Sequence, residues 1–204
     1  MKEALIIFVR NPLLGKVKSR LAETTGEEKA LEIYNMLLAH THFISRNIFA
    51  DKFVFYEDFV NQNDLWENDI YTKFLQEGND LGSRMKNAFD TLYKKGYTKV
   101  LIIGSDCYEL SKDIITEAFN TLSKIDIVIG PATDGGYYLL GMNTFIPELF
   151  DNKTWSSSTV YDDTINQIND LKLSVSTLRL LNDVDVESDI DFDELNRIIA
   201  SSPY

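Results

Sequence analysis

Two groups of charged residues stand where a chain could use them chemically. Asp106 follows the run Lys99-Val-Leu-Ile-Ile-Gly-Ser105, in which four apolar residues lead without polar alternation into Gly104-Ser105-Asp106. Such a run fits a central parallel strand, whose carboxyl end lines the crevice where open α/β sheets bind ligands. A carboxylate there can hold a divalent metal that bridges phosphate oxygens. It can also simply cap the next helix, although Ser111, with Asp113 in the first turn, can cap that helix without it. The second group is basic: Arg10, Lys16, Lys18 and Arg20 occur between residues 10 and 20 with no acid among them. A loop of that charge suits a small phosphate-bearing ligand. It is neither GxxxxGK[ST] nor GxGxxG, so the cationic side chains must carry more of the anion binding than backbone amides would. Asp134, followed by Gly135 and Gly136, could accept hydrogen bonds from a ligand's hydroxyl or amine groups, or could belong to an ordinary Asp-Gly turn. Asp183 and Asp185 alternate in an extended segment and point to opposite sides, so one of them is expected to face Asp106.

The elements that must position these residues follow from the apolar patterning. Strands are predicted at Ala4–Val9, Lys52–Tyr56, Tyr71–Leu75, Val100–Ile103, Ile125–Ile129 and Ser174–Leu180, with a short strand after Gly136. The segment from Arg10 to Leu21 is predicted as a loop. Thr25-Gly26-Glu27-Glu28 has the form of a capping box, opening a long helix to about Arg46. Asp80 can cap a helix whose apolar stripe is Met85, Ala88, Phe89, Leu92 and Tyr93, with Gly78 and Gly82 at the junction. Further helices are expected over 111–122, 159–171 and 189–200. Trp155 precedes the second of these and could stack on a sugar or base, or plug the rim of the core.

At 204 residues, 44% apolar and 25% charged, the chain fits one α/β domain over residues 1–204, in three layers about a mainly parallel central sheet. Net charge is −12, from 32 acids against 20 bases, which disfavours a nucleic-acid partner. No apolar run approaches the roughly 20 residues of a membrane span, and no signal peptide is legible, so a cytoplasmic location is expected. One cysteine, Cys107, excludes an internal disulfide, and no histidine can be placed beside it as a base, since His40 and His42 fall two apart on one helix.

RNPLLGKVKSRL, QEGNDLGSRM, GSDCYEL, PATDGGYYLLG, WSSSTV and NDVDVESDI occur in this order across nearly the whole chain. Together they resemble a bacterial family of glycosyltransferase-like proteins with the nucleotide-diphospho-sugar transferase fold. The first motif also resembles the phospholactate guanylyltransferases. The resemblance implies that Arg10, Lys16, Lys18 and Arg20 meet nucleotide phosphates, and that Gln76, Gly78, Asp80, Gly82 and Arg84 lie about the nucleotide. It implies that Asp106 binds Mg²⁺ or Mn²⁺ with Asp183 or Asp185, and that Asp134, Gly135, Gly136, Tyr137 and Trp155 face the second substrate. The expected partners are a nucleotide or nucleotide-sugar donor and a small-molecule acceptor. The implied reaction is glycosyl transfer, with nucleotidyl transfer or nucleotide binding without turnover as alternatives, because one fold hosts several chemistries. The oligomeric state is not legible. The sequence departs from the family pattern at Tyr108, where proline is usual and a looser turn behind the metal site is therefore expected. Asp106 is followed by Cys107 and Tyr108, so a plain Asp-x-Asp metal motif is absent and the second ligand must come from elsewhere.

Overall fold

In the computed structural model, which describes residues 2–191 and 193, seven strands form one sheet in the order β3-β2-β1-β4-β6-β5-β7. The strands are β1 (Glu3–Val9), β2 (Asp51–Tyr56), β3 (Tyr71–Leu75), β4 (Lys99–Ile103), β5 (Ile127–Pro131), β6 (Tyr137–Met142) and β7 (Val175–Thr177). β1, β2, β3 and β4 pair in parallel, as do β5 and β7, whereas β6 runs antiparallel between β4 and β5. Every residue of β4 is buried, as the apolar run requires for a strand covered on both faces.

The alternating side chains of β1 separate two cores. Leu5, Ile7 and Val9 pack with Tyr34 and Leu38 of α2 (Glu27–Arg46) and with Ile114, Ile115 and Phe119 of α4 (Lys112–Thr121). Ala4 and Ile6 pack on the other face with Met85, Phe89 and Leu92 of α3 (Leu81–Lys94) and Ile168 of α5 (Val160–Asp170). Helix, sheet and helix thus make three layers. Asp80 caps α3 by accepting from the Ser83 amide at 2.8 Å, and the Ser111 side chain caps α4.

The chain leaves β1 toward β2 and β3, then returns to the other side of β1 as β4. The crevice at the carboxyl ends of β1 and β4 is therefore the point where strand order reverses, the usual ligand position in an open α/β sheet.

Four expectations are corrected here. Residues 10–21 are not all loop: Ser19–Thr25 forms the short helix α1, whose Leu21 is fully buried in a third core with Ile33, Leu37 and Val184. Burying that leucine contributes roughly 2 kcal/mol toward holding a helix too short to persist alone. The proposed capping box does not form. The Thr25 hydroxyl donates to the Leu21 carbonyl at 2.9 Å, completing α1, and Gly26 stands at the start of α2 with no side-chain cap. The fifth strand begins at Ile127, not Ile125, and the last is only the three residues of β7. Tyr108, where proline was expected, is buried in the third core, and its hydroxyl donates to the Asp189 carbonyl at 3.5 Å. The helix expected over 189–200 lies for the most part outside the described residues.

Candidate functional site

Strand ends bring the charged residues to one rim. Arg10 follows β1, Asp106 follows β4 by three residues, Asp134 lies in the turn between β5 and β6, and Asp183 and Asp185 follow β7 beyond a bridge from Leu181 to Ala132. Tyr34 fastens the first two ends together. Its hydroxyl accepts from the Arg10 amide at 2.8 Å and lies 3.3 Å from Ser105 Oγ, so α2 sets the width of the crevice between β1 and β4. A Cβ at Gly104 would lie 2.9 Å from Asp106 Oδ1, so a side chain there would displace that carboxylate.

Lys18 ends in the middle of the acids. Its ammonium is 2.9 Å from Asp106 Oδ2 and 3.7 Å from Asp185 Oδ1, with its side chain only 7% exposed. Its backbone has φ 48° and ψ 49°, a left-handed conformation costly for a residue with a Cβ, at the start of α1. Burial alone would lower the pKa of Lys18, but Asp106, then Asp185 and Asp183, raise it. Burial likewise pushes Asp106 up, and the Lys18 ammonium, with Arg10 further off, outweighs it and holds the carboxyl below the usual range. At Asp183 the Lys18 ammonium is outweighed. Burial first, then the charges of Asp106 and Asp134, push its carboxyl well above the usual range, and its Oδ1 is buried without a hydrogen-bond partner.

The rim continues as a row of alternating charge. Arg84 NH1 lies 2.8 Å from Glu57 Oε1, Glu57 Oε2 lies 3.1 Å from Arg10 Nε, and Arg10 acts on Asp106 through space. Lys18 and Asp185 follow, and Arg20 NH1 closes the row 3.3 Å from Asp185 Oδ2. Of the basic group, Lys18 is therefore a counter-ion within the acidic cluster, while Arg10 and Arg20 are exposed at its sides and Lys16 is exposed on the loop.

The remaining sequence-predicted residues divide between the crevice and its support. Gln76 is spent on structure: its Nε2 donates to the carbonyls of Val9 and Phe55 at 3.2 and 2.9 Å, joining the ends of β1, β2 and β3. Asp80 is occupied as the α3 cap. Gly78 and Gly82 allow close packing, the first against Ser83 and Arg84 and the second beneath the Trp155 indole. Trp155 is partly buried on the second core, with Lys153 Nζ 5.6 Å from its ring centre. Gly135 has φ 88°, and a Cβ there would lie 2.0 Å from the Ser158 carbonyl oxygen, so this glycine lets the Asp134 turn close on the start of α5. Asp134 Oδ1 accepts from the Gly136 amide at 2.8 Å, which orients the exposed carboxylate. The half-buried Tyr137 reaches toward Met85 with its hydroxyl.

Sequence reasoning missed Glu57, Asn11 and Tyr34. Cys107 is buried and its thiol is pushed up, first by burial and then by Asp183, so it offers no thiolate. His40 is turned away to the Leu110 carbonyl, 2.8 Å from its Nε2.

A divalent cation fits this chemistry. Hard cations take carboxylate oxygens, and the partnerless Oδ1 of Asp183 beside Asp106 supplies an acceptor that the protein itself leaves unsatisfied. Among the described residues no three His, Cys, Asp or Glu side chains converge closely enough to hold an ion alone. An ion there would draw further oxygens from a ligand.

The sheet order, the crevice at its reversal point and the acidic cluster facing a basic loop define a protein of the nucleotide-diphospho-sugar transferase fold. Residues 41–157 match the family described as uncharacterized proteins conserved in bacteria, DUF2064, and the chain belongs to that family. Among solved structures, a protein from Desulfovibrio desulfuricans G20 assigned provisionally as a nucleotide-diphospho-sugar transferase is 30% identical with a TM-score of 0.84, over 99% of both chains. The inositol-1-phosphate CTP transferase from T. maritima shares the fold at 12% identity and a TM-score of 0.58, over 100% of this chain and 98% of that one. A Mycobacterium tuberculosis H37Rv protein in complex with manganese does so at 9% identity and 0.55, over 98% and 100%. No curated protein matches the chain. Among the described residues no helix is long and apolar enough to cross a membrane.

Proposed function

We propose that this protein is a metal-dependent transferase that takes a group from a nucleotide-activated donor, and that the transferred group is a sugar passed from a nucleoside diphosphate-sugar to a small acceptor. The observation that carries this reading is the cluster of Asp106, Asp183, Asp185 and Lys18 at the reversal point of the sheet, with one carboxylate oxygen buried and unpartnered.

Each residue then has a defined task. Arg10, Lys16 and Arg20 receive the donor phosphates, each contact to a charged oxygen being worth about 1.5 to 3 kcal/mol. Asp106 and Asp183 would hold Mg²⁺ or Mn²⁺, which supplies charge neutralisation of the departing diphosphate. Lys18 keeps the acids paired before ligand arrives. Asp134, with one oxygen anchored to the Gly136 amide, presents the other to accept the proton of the acceptor's attacking hydroxyl. Trp155 and the turn at Gly135 close the acceptor side.

A second reading, nucleotidyl transfer, is supported by the likeness in fold to the inositol-1-phosphate CTP transferase from T. maritima. In that reaction a substrate phosphate attacks the α-phosphorus of a triphosphate and pyrophosphate leaves. Mass spectrometry of products from a panel of nucleotide sugars, nucleoside triphosphates and acceptors separates the two. A sugar adduct with released nucleoside diphosphate supports glycosyl transfer, and a nucleotide adduct with released pyrophosphate replaces it. Tight nucleotide binding with no product from any acceptor would remove catalysis from the account.

A further inference from the structure

The segment that follows β2 is fixed to the crevice with more hydrogen bonds than a surface loop needs. The Glu57 amide donates to the Val9 carbonyl at 3.1 Å, tying it to the end of β1. Asn11, only 2% exposed, uses its whole carboxamide on the next two residues: Oδ1 accepts from the amides of Asp58 and Phe59 at 3.1 and 3.3 Å, and Nδ2 donates to the Phe59 carbonyl at 2.9 Å. Further along, Asp64 accepts from Tyr56 at 2.5 Å and pairs with the buried Lys73 at 2.8 Å. The backbone at Glu57 is thus held from both sides, and its side chain, 26% exposed, starts from a set position.

That position is between two arginines. Glu57 Oε2 takes Arg10 Nε and Glu57 Oε1 takes Arg84 NH1, while Arg84 Nε donates to the Gly78 carbonyl at 3.2 Å. An isolated surface pair between long side chains does little, because ordering them offsets the attraction. Here one carboxylate orders two guanidinium groups at once, cancels one of their two charges and removes their mutual repulsion. The Arg10 side chain stays 61% exposed, which leaves its guanidinium open to a ligand's phosphate oxygens. Arg10 follows β1 and Asp106 follows β4, its neighbour in the sheet, so the pair adjoins the acidic cluster.

We propose that Glu57 is a positioning residue that makes Arg10 and Arg84 into one clamp for a ligand with two adjacent phosphates. This rests on the reading that the crevice receives a donor's phosphates, and it adds which residue sets the geometry and which anion the geometry selects. One phosphate can engage one guanidinium edge. A diphosphate can engage both guanidinium groups at once.

Isothermal titration with inorganic pyrophosphate and, separately, orthophosphate tests this without a known substrate. Arg10→Ala and Arg84→Ala should each weaken pyrophosphate binding about tenfold. Glu57→Gln should weaken it about fivefold, although it removes a negative charge from an anion site. Glu57→Asp should weaken it as well, since the charge stays but the reach is lost. Glu57→Gln should add little on top of Arg10→Ala, because both act through the same clamp. Orthophosphate affinity should change less than about twofold in the Glu57 variants. Pyrophosphate binding as tight or tighter in both Glu57 variants, with the arginine variants weakened, would overturn the positioning role and leave the phosphate crevice standing. Equal losses for orthophosphate would overturn the selection of a diphosphate. If neither arginine variant weakens pyrophosphate binding, the phosphate crevice itself fails and the clamp with it.

Discussion

Replacing Lys18 by methionine isolates what its ammonium does among the acids. Removing one partner of a fully buried pair costs about 3 to 5 kcal/mol, because the other charge is left uncompensated. Asp106 keeps 38% of its side chain exposed, so water screens the residue left behind, and the loss should fall to about 1 to 2 kcal/mol. Lys18→Gly loses the same charge but relieves the left-handed backbone at φ 48°, and should be less destabilised than Lys18→Met by roughly 1 kcal/mol. The metal response should have the opposite sign. With no nucleotide present the ammonium competes with a divalent ion for Asp106, so Lys18→Met should bind Mn²⁺ about tenfold more tightly, which is about 1.4 kcal/mol of added stability at saturating metal. Urea unfolding of wild type and both variants, with and without Mn²⁺, reads all three quantities. If Mn²⁺ stabilises wild type as much as Lys18→Met, Lys18 does not stand in for a cation, and if Lys18→Met unfolds at the wild-type urea concentration, the buried pair contributes nothing.

Gly135→Ala should destabilise by about 3 kcal/mol, combining the left-handed cost with a Cβ forced onto the Ser158 carbonyl, and thermal unfolding checks it; a wild-type melting temperature would show that the turn can move away from α5. Burial lowers the pKa of His40 below 6.5 in the folded protein, so folding favours its neutral form: that contribution is present above about pH 6.5 and is lost as pH falls from there through the folded pKa. His40→Gln should therefore flatten the stability difference between pH 7.5 and pH 5, and an unchanged difference in paired urea melts would assign it to other groups.

The sequence made some of this architecture plain and hid the rest for physical reasons. The uninterrupted runs of β1 and β4 declared buried parallel strands, and the caps at Asp80 and Ser111 declared two helix starts, because each signal is local. Strand direction is not encoded in an apolar run, so the antiparallel β6 between β4 and β5 was not legible. The break between α1 and α2 at Gly26 was obscured by a run that also fits a capping box. At the site, residue types alone put Lys18 with the other bases as a phosphate ligand. Its pairing with Asp106 spans 88 residues of chain and depends on the left-handed backbone at the start of α1, which no pattern announces for a lysine. Glu57 was concealed differently: in an acidic, asparagine-rich stretch one more carboxylate draws no notice until Arg10 and Arg84 are seen on its two oxygens.

The central claim is that Asp106 is the carboxylate on which a metal and a nucleotide donor depend. Asp106→Asn keeps the side-chain shape and removes the charge that holds a hard cation. Isothermal titration of nucleoside diphosphates into wild type and Asp106→Asn, each in Mn²⁺ and in EDTA, tests it directly. Wild type should bind at least tenfold more tightly with Mn²⁺ than with EDTA, and the variant should lose that difference while its unfolding midpoint stays close to wild type. The same Mn²⁺-dependent affinity in the variant as in wild type would contradict the account.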